Sequence, residues 1–319
     1  MVRDKAMRAA VAAILAGLLF CPATAPAQNK KDPKFDIGQI GSRDISKGKW
    51  NFYSPEREME LGRQLAQDAE RTSHLLTDPF VVRYVAAVGE RIARNSDLRV
   101  PLQVRVVNSG EVDAFALPGG YFFITTGMLL QVQTEAELAG VISHEIAHVA
   151  ARHATRQMTR AQIWNLVSIP LVFAGGTVAY AIQQAASLAV PLTFLKFSRN
   201  SEKEADVLGL QYHYTSGYDP AAFVTFFERI RRLEKDERGG IARMFSSHPM
   251  TRDRIVAAER FIERHLPARE EYVVNTSEHD RIHKYLVEFL RQQELRESLT
   301  PVLRAQTESE SKPELKKKP

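Results

Sequence analysis

The chain has 319 residues, 44% of them hydrophobic and 25% charged, the balance of a globular protein that buries a core. Its formal net charge is +5, and part of that sits in the first residues, where Arg3, Lys5 and Arg8 outnumber Asp4. The remainder is too nearly neutral to point to a nucleic-acid partner, and the single cysteine excludes a disulfide framework.

Residues 1–27 read as a signal peptide. A basic start precedes an apolar run from Ala9 to Phe20, too short to span a bilayer, and Ala25-Pro26-Ala27 forms an A-x-A cleavage pattern before Gln28. Cys21 inside this segment offers the alternative of a lipid anchor, against which Phe20 stands where a small residue is usual. Cleavage leaves a chain with no cysteine as nucleophile or ligand, and export without disulfides fits the periplasm of a bacterial envelope.

Residues 28–50 are polar and read as an extended lead-in to a domain expected over 51–268. Ser54-Pro55 opens a helix to about Ser73, with Ser as cap and Pro in the first turn. A second helix follows Thr77-Asp78-Pro79, where Val82, Tyr84, Val85, Val88 and Ile92 recur at spacings of three and four. Leu102 to Val107 alternates and is β-branched, as in a strand. Asp113–Leu117 and Tyr121–Thr125 flank Pro118-Gly119-Gly120, a two-strand unit with a tight turn. Thr134 begins a central helix that continues through His148 towards Met158, with Glu135 and Glu137 favoured at its positive end.

From Ala161 to Leu195 there is no charged residue, and Pro170, Gly175, Gly176 and Pro191 interrupt the run. Segment 161–195 is expected to be a lid or a membrane-contact segment; its polar-free core, Leu166 to Ile182, is marginal for a span. Helices are expected near Asn200–Thr215, Asp219–Glu234, Thr251–His265 and, in a C-terminal extension over 269–306, at 279–295. From Thr307 the chain is charged and lacks apolar spacing, a disordered tail. The fold class is α+β, mostly helical, with a small sheet beside the central helix.

His144-Glu145-Ile146-Ala147-His148 matches H-E-x-x-H. At about 100° per residue, positions four apart share a helical face, so both imidazoles reach one metal ion. Glu145 is placed to take a proton from water at that ion, the catalytic base. Leu138, Val141, Ile142 and Val149 make the helix apolar and hence buried, and buried His and Glu need partners. One class of such sites adds a third His ten residues after the first; here that position is Ala154, and Ala151 replaces the usual Gly between. On a continuous helix His153 falls about half a turn off the ligand face, a surface or supporting group. The other solution is a carboxylate from a later helix. Ser198 to Asp206 supplies Glu202 as ligand and Asp206, four residues on, to hold a ligand histidine by its other nitrogen; Glu204 lies off that face and reads as solvated.

These motifs, followed by His248-Pro249 and Arg254, resemble the zinc metallopeptidases of the HtpX and CAAX-prenyl-protease type, and Phe115-Ala116-Leu117-Pro118-Gly119-Gly120 is similar to the same family. The likeness covers roughly Ser54 to His265. It resembles most the soluble, exported branch, without that branch's helical-repeat domain, and Asp113 stands where the family often has Asn. The resemblance implies a gluzincin-like domain, one Zn2+ per chain, and His144, His148 and Glu202 as ligands. It further implies Glu145 as base, Asp206 as support, His248 as fourth ligand, switch or transition-state donor, and Arg254 as a brace of the site.

The expected activity is hydrolysis of peptide bonds in unfolded or misassembled envelope proteins, with outer-membrane assembly components as further partners. The alternative is a chaperone-like assembly factor that cuts rarely.

Overall fold

The computed structural model describes residues 35–172, 196–236, 248–249 and 251–310. The expected signal peptide, Cys21, positions 173–195 of the uncharged segment and the end of the tail lie outside the described residues. Contacts divide the chain between Asp36 and Ile37, and the unit from Ile37 onward is the one described below.

Its helices begin where side chains can satisfy free backbone donors. Helix α1 (Pro55–Thr72) starts on Ser54, whose hydroxyl accepts from the Arg57 N–H. The carboxylate of Asp78 accepts from Phe80 and Val81 at the start of α2 (Pro79–Arg94). Between and after them lie β1 (Leu75–Leu76), β2 (Gln103–Val107), β3 (Ala114–Leu117) and β4 (Tyr121–Thr125). The sheet order is β1-β2-β4-β3. Strands β2 and β4 are parallel, while β1 pairs antiparallel with β2 and β3 antiparallel with β4. The β3–β4 unit turns through Pro118–Gly120, where Gly119 has φ 77° and Gly120 φ 88°, a conformation that glycine adopts without steric cost.

A short α3 (Thr126–Gln131) leads to the central helix α4 (Glu135–Ala150), capped by Thr134. Every residue of α4 from Glu135 to Val149 is buried. Around it pack α6 (Arg199–Thr215), α7 (Pro220–Asp236) and α2, with β3 along one side. The approach of α6 is close: a Cβ on Gly209 would lie 3.1 Å from the His144 Cα, so glycine there lets α6 seat against the metal-motif turn. From α7, Phe223, Phe226 and Ile230 are at most 1% exposed, each burial stabilising by about 1.5–3 kcal/mol.

Two expectations about helix ends are corrected. The central helix does not run to Met158: it ends at Ala150, Arg152 takes φ 55°, and a separate α5 (His153–Val172) begins. Arg152 is held in this unusual left-handed conformation by donating to the Glu58 carboxylate and, at 2.7 Å, to the Tyr53 carbonyl. The last helix, α9 (Ser277–Glu310), reaches beyond 295 and into the stretch expected to be disordered from Thr307. It follows α8 (Arg252–His265) and buries Ile282 and Leu286, and its Tyr285 donates to Asp78 at 2.7 Å. Among the described residues no helix is long and apolar enough to cross a membrane.

Candidate metal centre

Helix α4 brings His144 and His148 one turn apart on one face, with Nε2 atoms 3.1 Å from each other. Helix α6 supplies Glu202 from its first turn, with Oε2 3.5 Å from His144 Nε2 and Oε1 3.5 Å from His148 Nε2. His248, just before α8, completes the cluster: its Nδ1 is 3.4 Å from His144 Nε2 and 3.1 Å from Glu202 Oε1. All four residues are buried, and one ligand atom from each lies within 4.8 Å of the others. Donor atoms bonded to zinc at about 2.0–2.1 Å in a tetrahedron stand roughly 3.3 Å apart. The pair distances of 3.1–3.5 Å given above match that spacing.

Charge and protonation favour a cation in the same place. His144 Nδ1 lies 3.3 Å from Asp206 Oδ1, close enough for an ionic contact though short of a well-formed hydrogen bond. The carboxylate keeps the proton of a neutral ring on Nδ1 and turns the Nε2 lone pair towards His148. Burial opposes a charge on His144, yet Asp206 and Glu202 raise its pKa to about 9. The site demands positive charge, which a divalent ion meets as well as a proton. Burial pushes Glu202 up, but the three histidines overcome it and hold the carboxyl far below the usual range. His148 is driven well below its ordinary value by burial and by the neighbouring imidazoles. It is therefore the neutral ring that metal ligation requires.

Arg254 of α8 braces the carboxylates. Its Nε and Nη2 donate to the two Asp206 oxygens, each at 2.7 Å, and its Nη1 lies 2.8 Å from Glu202 Oε2. Nη1 also donates to the Pro249 carbonyl at 2.9 Å, which ties the residue after His248 to the same guanidinium. A planar cation with fixed donors suits two carboxylates better than a point charge.

Glu145 is 3% exposed, and its Oε2 accepts from the Ala116 N–H of β3 at 3.0 Å. Burial raises its pKa, with His248 and His144 opposing. A carboxylate shifted in this direction is a better proton acceptor near neutral pH. His248 Nε2 lies 3.5 Å from Glu145 Oε1. The cavity bounded by Ala114, Met128, Glu145, Phe227 and His248 measures about 10 Å³. That is at the lower limit for a single water.

The structure thus gathers His144, Glu145, His148, Glu202, Asp206, His248 and Arg254 into one buried site. It also decides one reading beside them and corrects another. Of the two readings of His153, a surface or a supporting group, its 1% exposure selects the supporting one. Half a turn off the ligand face holds only for an unbroken helix; the Arg152 turn swings His153 back so that its Nδ1 lies 3.0 Å from His148 Nδ1. Glu204 is buried rather than solvated, ion-paired with Lys49 and, at 3.4 Å, with Arg156. His153 is held neutral by burial and by Arg156 and Lys49, against the pull of Glu204. A charged residue on a helix carries no sequence signal that its partners arrive from two other segments.

A buried His/Glu donor set, built on an H-E-x-x-H helix beside a small sheet and completed by Glu202 and His248 from other segments, defines a metallopeptidase of that type. Residues 80–262 match the profile of Peptidase family M48, and the chain belongs to that family. It is 28% identical over 232 residues to the beta-barrel assembly-enhancing protease of Escherichia coli strain K12, covering 69% of this chain and 45% of that protein. It is 33% identical over 223 residues to the mitochondrial metalloendopeptidase OMA1 of Arabidopsis thaliana, 69% of this chain and 44% of the relative. The metalloprotease LoiP of Escherichia coli is 33% identical over 155 residues, 48% of this chain and 60% of LoiP. The chain spans less than half the length of the first two relatives.

Proposed function

We propose that this protein is a zinc-dependent endopeptidase of the bacterial cell envelope that hydrolyses unfolded or misassembled polypeptides. The observation that carries the reading is a buried Glu145 beside four converging donor atoms, the pairing that peptide hydrolysis requires. His144, His148 and Glu202 would hold the zinc, which when bound would supply Lewis acidity towards a carbonyl and towards water near neutral pH. Glu145, oriented by the Ala116 N–H, accepts the proton of the attacking water and returns it to the leaving amine. Among the described residues strand β4 is paired on both sides and β3 is the edge strand; its Ala116 N–H donates to Glu145, which leaves the rest of that edge for an extended peptide.

His248 supports a resting state that is closed. It occupies the donor cluster itself, and the space beside Glu145 holds at most one water. Movement of His248 out of the donor cluster would open a capped site to substrate. The same closure favours, as a second reading, an assembly factor that binds clients and cuts rarely. The envelope location rests on the export pattern of residues 1–27 together with a relative named for beta-barrel assembly. Outer-membrane assembly components are the partners this suggests.

The purified protein is expected to hold one zinc per chain and to cleave casein, and Glu145→Gln to keep the zinc and lose cleavage. Full casein hydrolysis by that variant sinks the mechanism. His248→Ala is expected to cut faster than wild type; a slower variant makes His248 a transition-state donor rather than a cap.

A further inference from the structure

The two ligand histidines of α4 are supported differently. His144 faces Asp206 directly. His148 faces another imidazole, His153, which in turn faces Glu204: His153 Nε2 lies 3.3 Å from Glu204 Oε2. We propose that Glu204 and His153 form a hydrogen-bond relay that fixes the tautomer and ring orientation of His148, so that His153 is a positioning residue for the metal. The proposal rests on the metallopeptidase reading of the site.

The direction of the relay follows from hydrogen-bonding capacity. Glu204 lies against Lys49 and Arg156, and a carboxylate between two cations is ionised and only accepts. The proton between Glu204 and His153 therefore sits on His153 Nε2. His153 then offers an Nδ1 lone pair, and the 3.0 Å gap to His148 Nδ1 has room for one proton, which must belong to His148. With Nδ1 protonated, His148 keeps a bare Nε2, the atom 3.1 Å from His144 Nε2 and 3.5 Å from Glu202. The opposite order would place a proton on His148 Nε2 and block ligation. No proton is transferred; the chain sets which nitrogen carries it.

Packing fixes the rings as well. Phe197 stacks on His148 with centroids 4.1 Å apart and also meets His153 at 5.9 Å. The left-handed Arg152 places His153 here, and Lys49 reaches Glu204 from the segment before α1. One ligand is thus oriented by a carboxylate in contact, the other by a carboxylate acting through an intervening ring.

Zinc affinity, read by competition with a chromogenic chelator, tests the relay on the full chain. His153→Phe keeps an aromatic ring but removes the acceptor, and affinity is expected to fall about 10- to 100-fold. His153→Asn offers an Oδ1 that accepts from His148, and is expected to restore most of the loss. Wild-type affinity in His153→Phe, or equal loss in both variants, overturns the proposal. Imidazole 1H–15N correlation spectra of zinc-loaded wild type give an answer independent of how the variants fold. His148 protonated on Nδ1 and His153 on Nε2 are expected; His153 protonated on Nδ1 overturns the relay. Wild type that takes up no zinc refutes the metallopeptidase reading and the relay with it, whereas zinc-loaded wild type with an unaffected His153→Phe refutes the relay alone.

Discussion

The two ends of helix α4 are equally buried and equally rich in ionisable groups, yet they are built on opposite principles. At the N-terminal end Glu135 accepts from the hydroxyls of Thr276 and, at 2.9 Å, Tyr218, while its own N–H donates to Asn275 at 3.1 Å. Burial and Glu135 push Tyr84 and Tyr218 far above the usual tyrosine range, so both hydroxyls remain donors. Glu137 accepts from Arg229 at 2.8 Å and from the Gln133 N–H at 2.7 Å. Acceptors there meet donors. At the other end His144 and His148 turn nitrogen towards nitrogen, and Glu202 adds a carboxylate. Buried polar groups normally find hydrogen-bond partners. A cluster in which acceptors face acceptors is completed by a cation, and this separates a binding site from a structural network of the same composition.

The largest expected effect breaks the comparison at its centre. Glu145→Gln should lower kcat by about 10²- to 10⁴-fold with zinc content and thermal stability retained. Glu135→Gln should do the reverse: stability falls by about 1–3 kcal/mol as one acceptor of a buried network becomes a donor, while kcat per zinc-loaded molecule is unchanged. Urea denaturation and casein hydrolysis on both variants separate the two roles. A Glu135→Gln enzyme with reduced turnover at full zinc loading would mean that the ends are not independent.

Arg254 joins the two principles, because it is a structural cation inside the metal site. It contacts both Asp206 and Glu202 and is 4% exposed. Arg254→Leu leaves two buried carboxylates short of a counter-charge and should cost about 3–5 kcal/mol in urea denaturation of the zinc-free protein. Added zinc should recover part of that loss by meeting Glu202. Recovery in full would assign the whole role of Arg254 to charge; Arg254→Lys tests the remainder, since an ammonium cannot hold Asp206 with two parallel donors.

The contrast also marks what could be read from sequence. The apolar periodicity of α2, the Pro-Gly-Gly turn and the i, i+4 spacings of His144/His148 and Glu202/Asp206 are local patterns, and the helices and sheet carry them. The kink was hidden because left-handed backbone is signalled by Gly or Asn, whereas Arg152 owes it to Glu58 and Tyr53, distant in sequence. His153 followed the kink into the interior. Glu204 reads as solvated in the sequence because its partners lie elsewhere in the chain: Lys49 before α1 and Arg156 on α5. Spacing along one helix tells which residues share its face; it does not tell what another segment brings to that face.

The smallest expected effect sharpens the comparison with a histidine that is not a ligand. His213 lies on α6 beyond Gly209, fully buried, with Nε2 donating to the Ala136 carbonyl in the first turn of α4 at 2.9 Å. Its ring stacks on Tyr218 at 5.4 Å. Burial lowers its pKa from 6.5 to about 4, against the Ala136 carbonyl and Asp219, which favour the proton. Between these values the unfolded chain binds the proton and the folded one does not, so stability rises with pH through this window and is lost as pH falls. Taking the pH from 7.5 to 5.5 should cost about 1 kcal/mol through this residue. In His213→Gln, whose amide can still donate to Ala136, that share should disappear from the pH dependence of urea denaturation. An identical acid loss in the variant would place the titrating group elsewhere. His144 is shifted in the opposite direction by its carboxylates, so its contribution has the opposite sign. One buried histidine belongs to α4 and the other packs against it from α6, and the carboxylates beside the first decide which answers to a cation and which stays neutral.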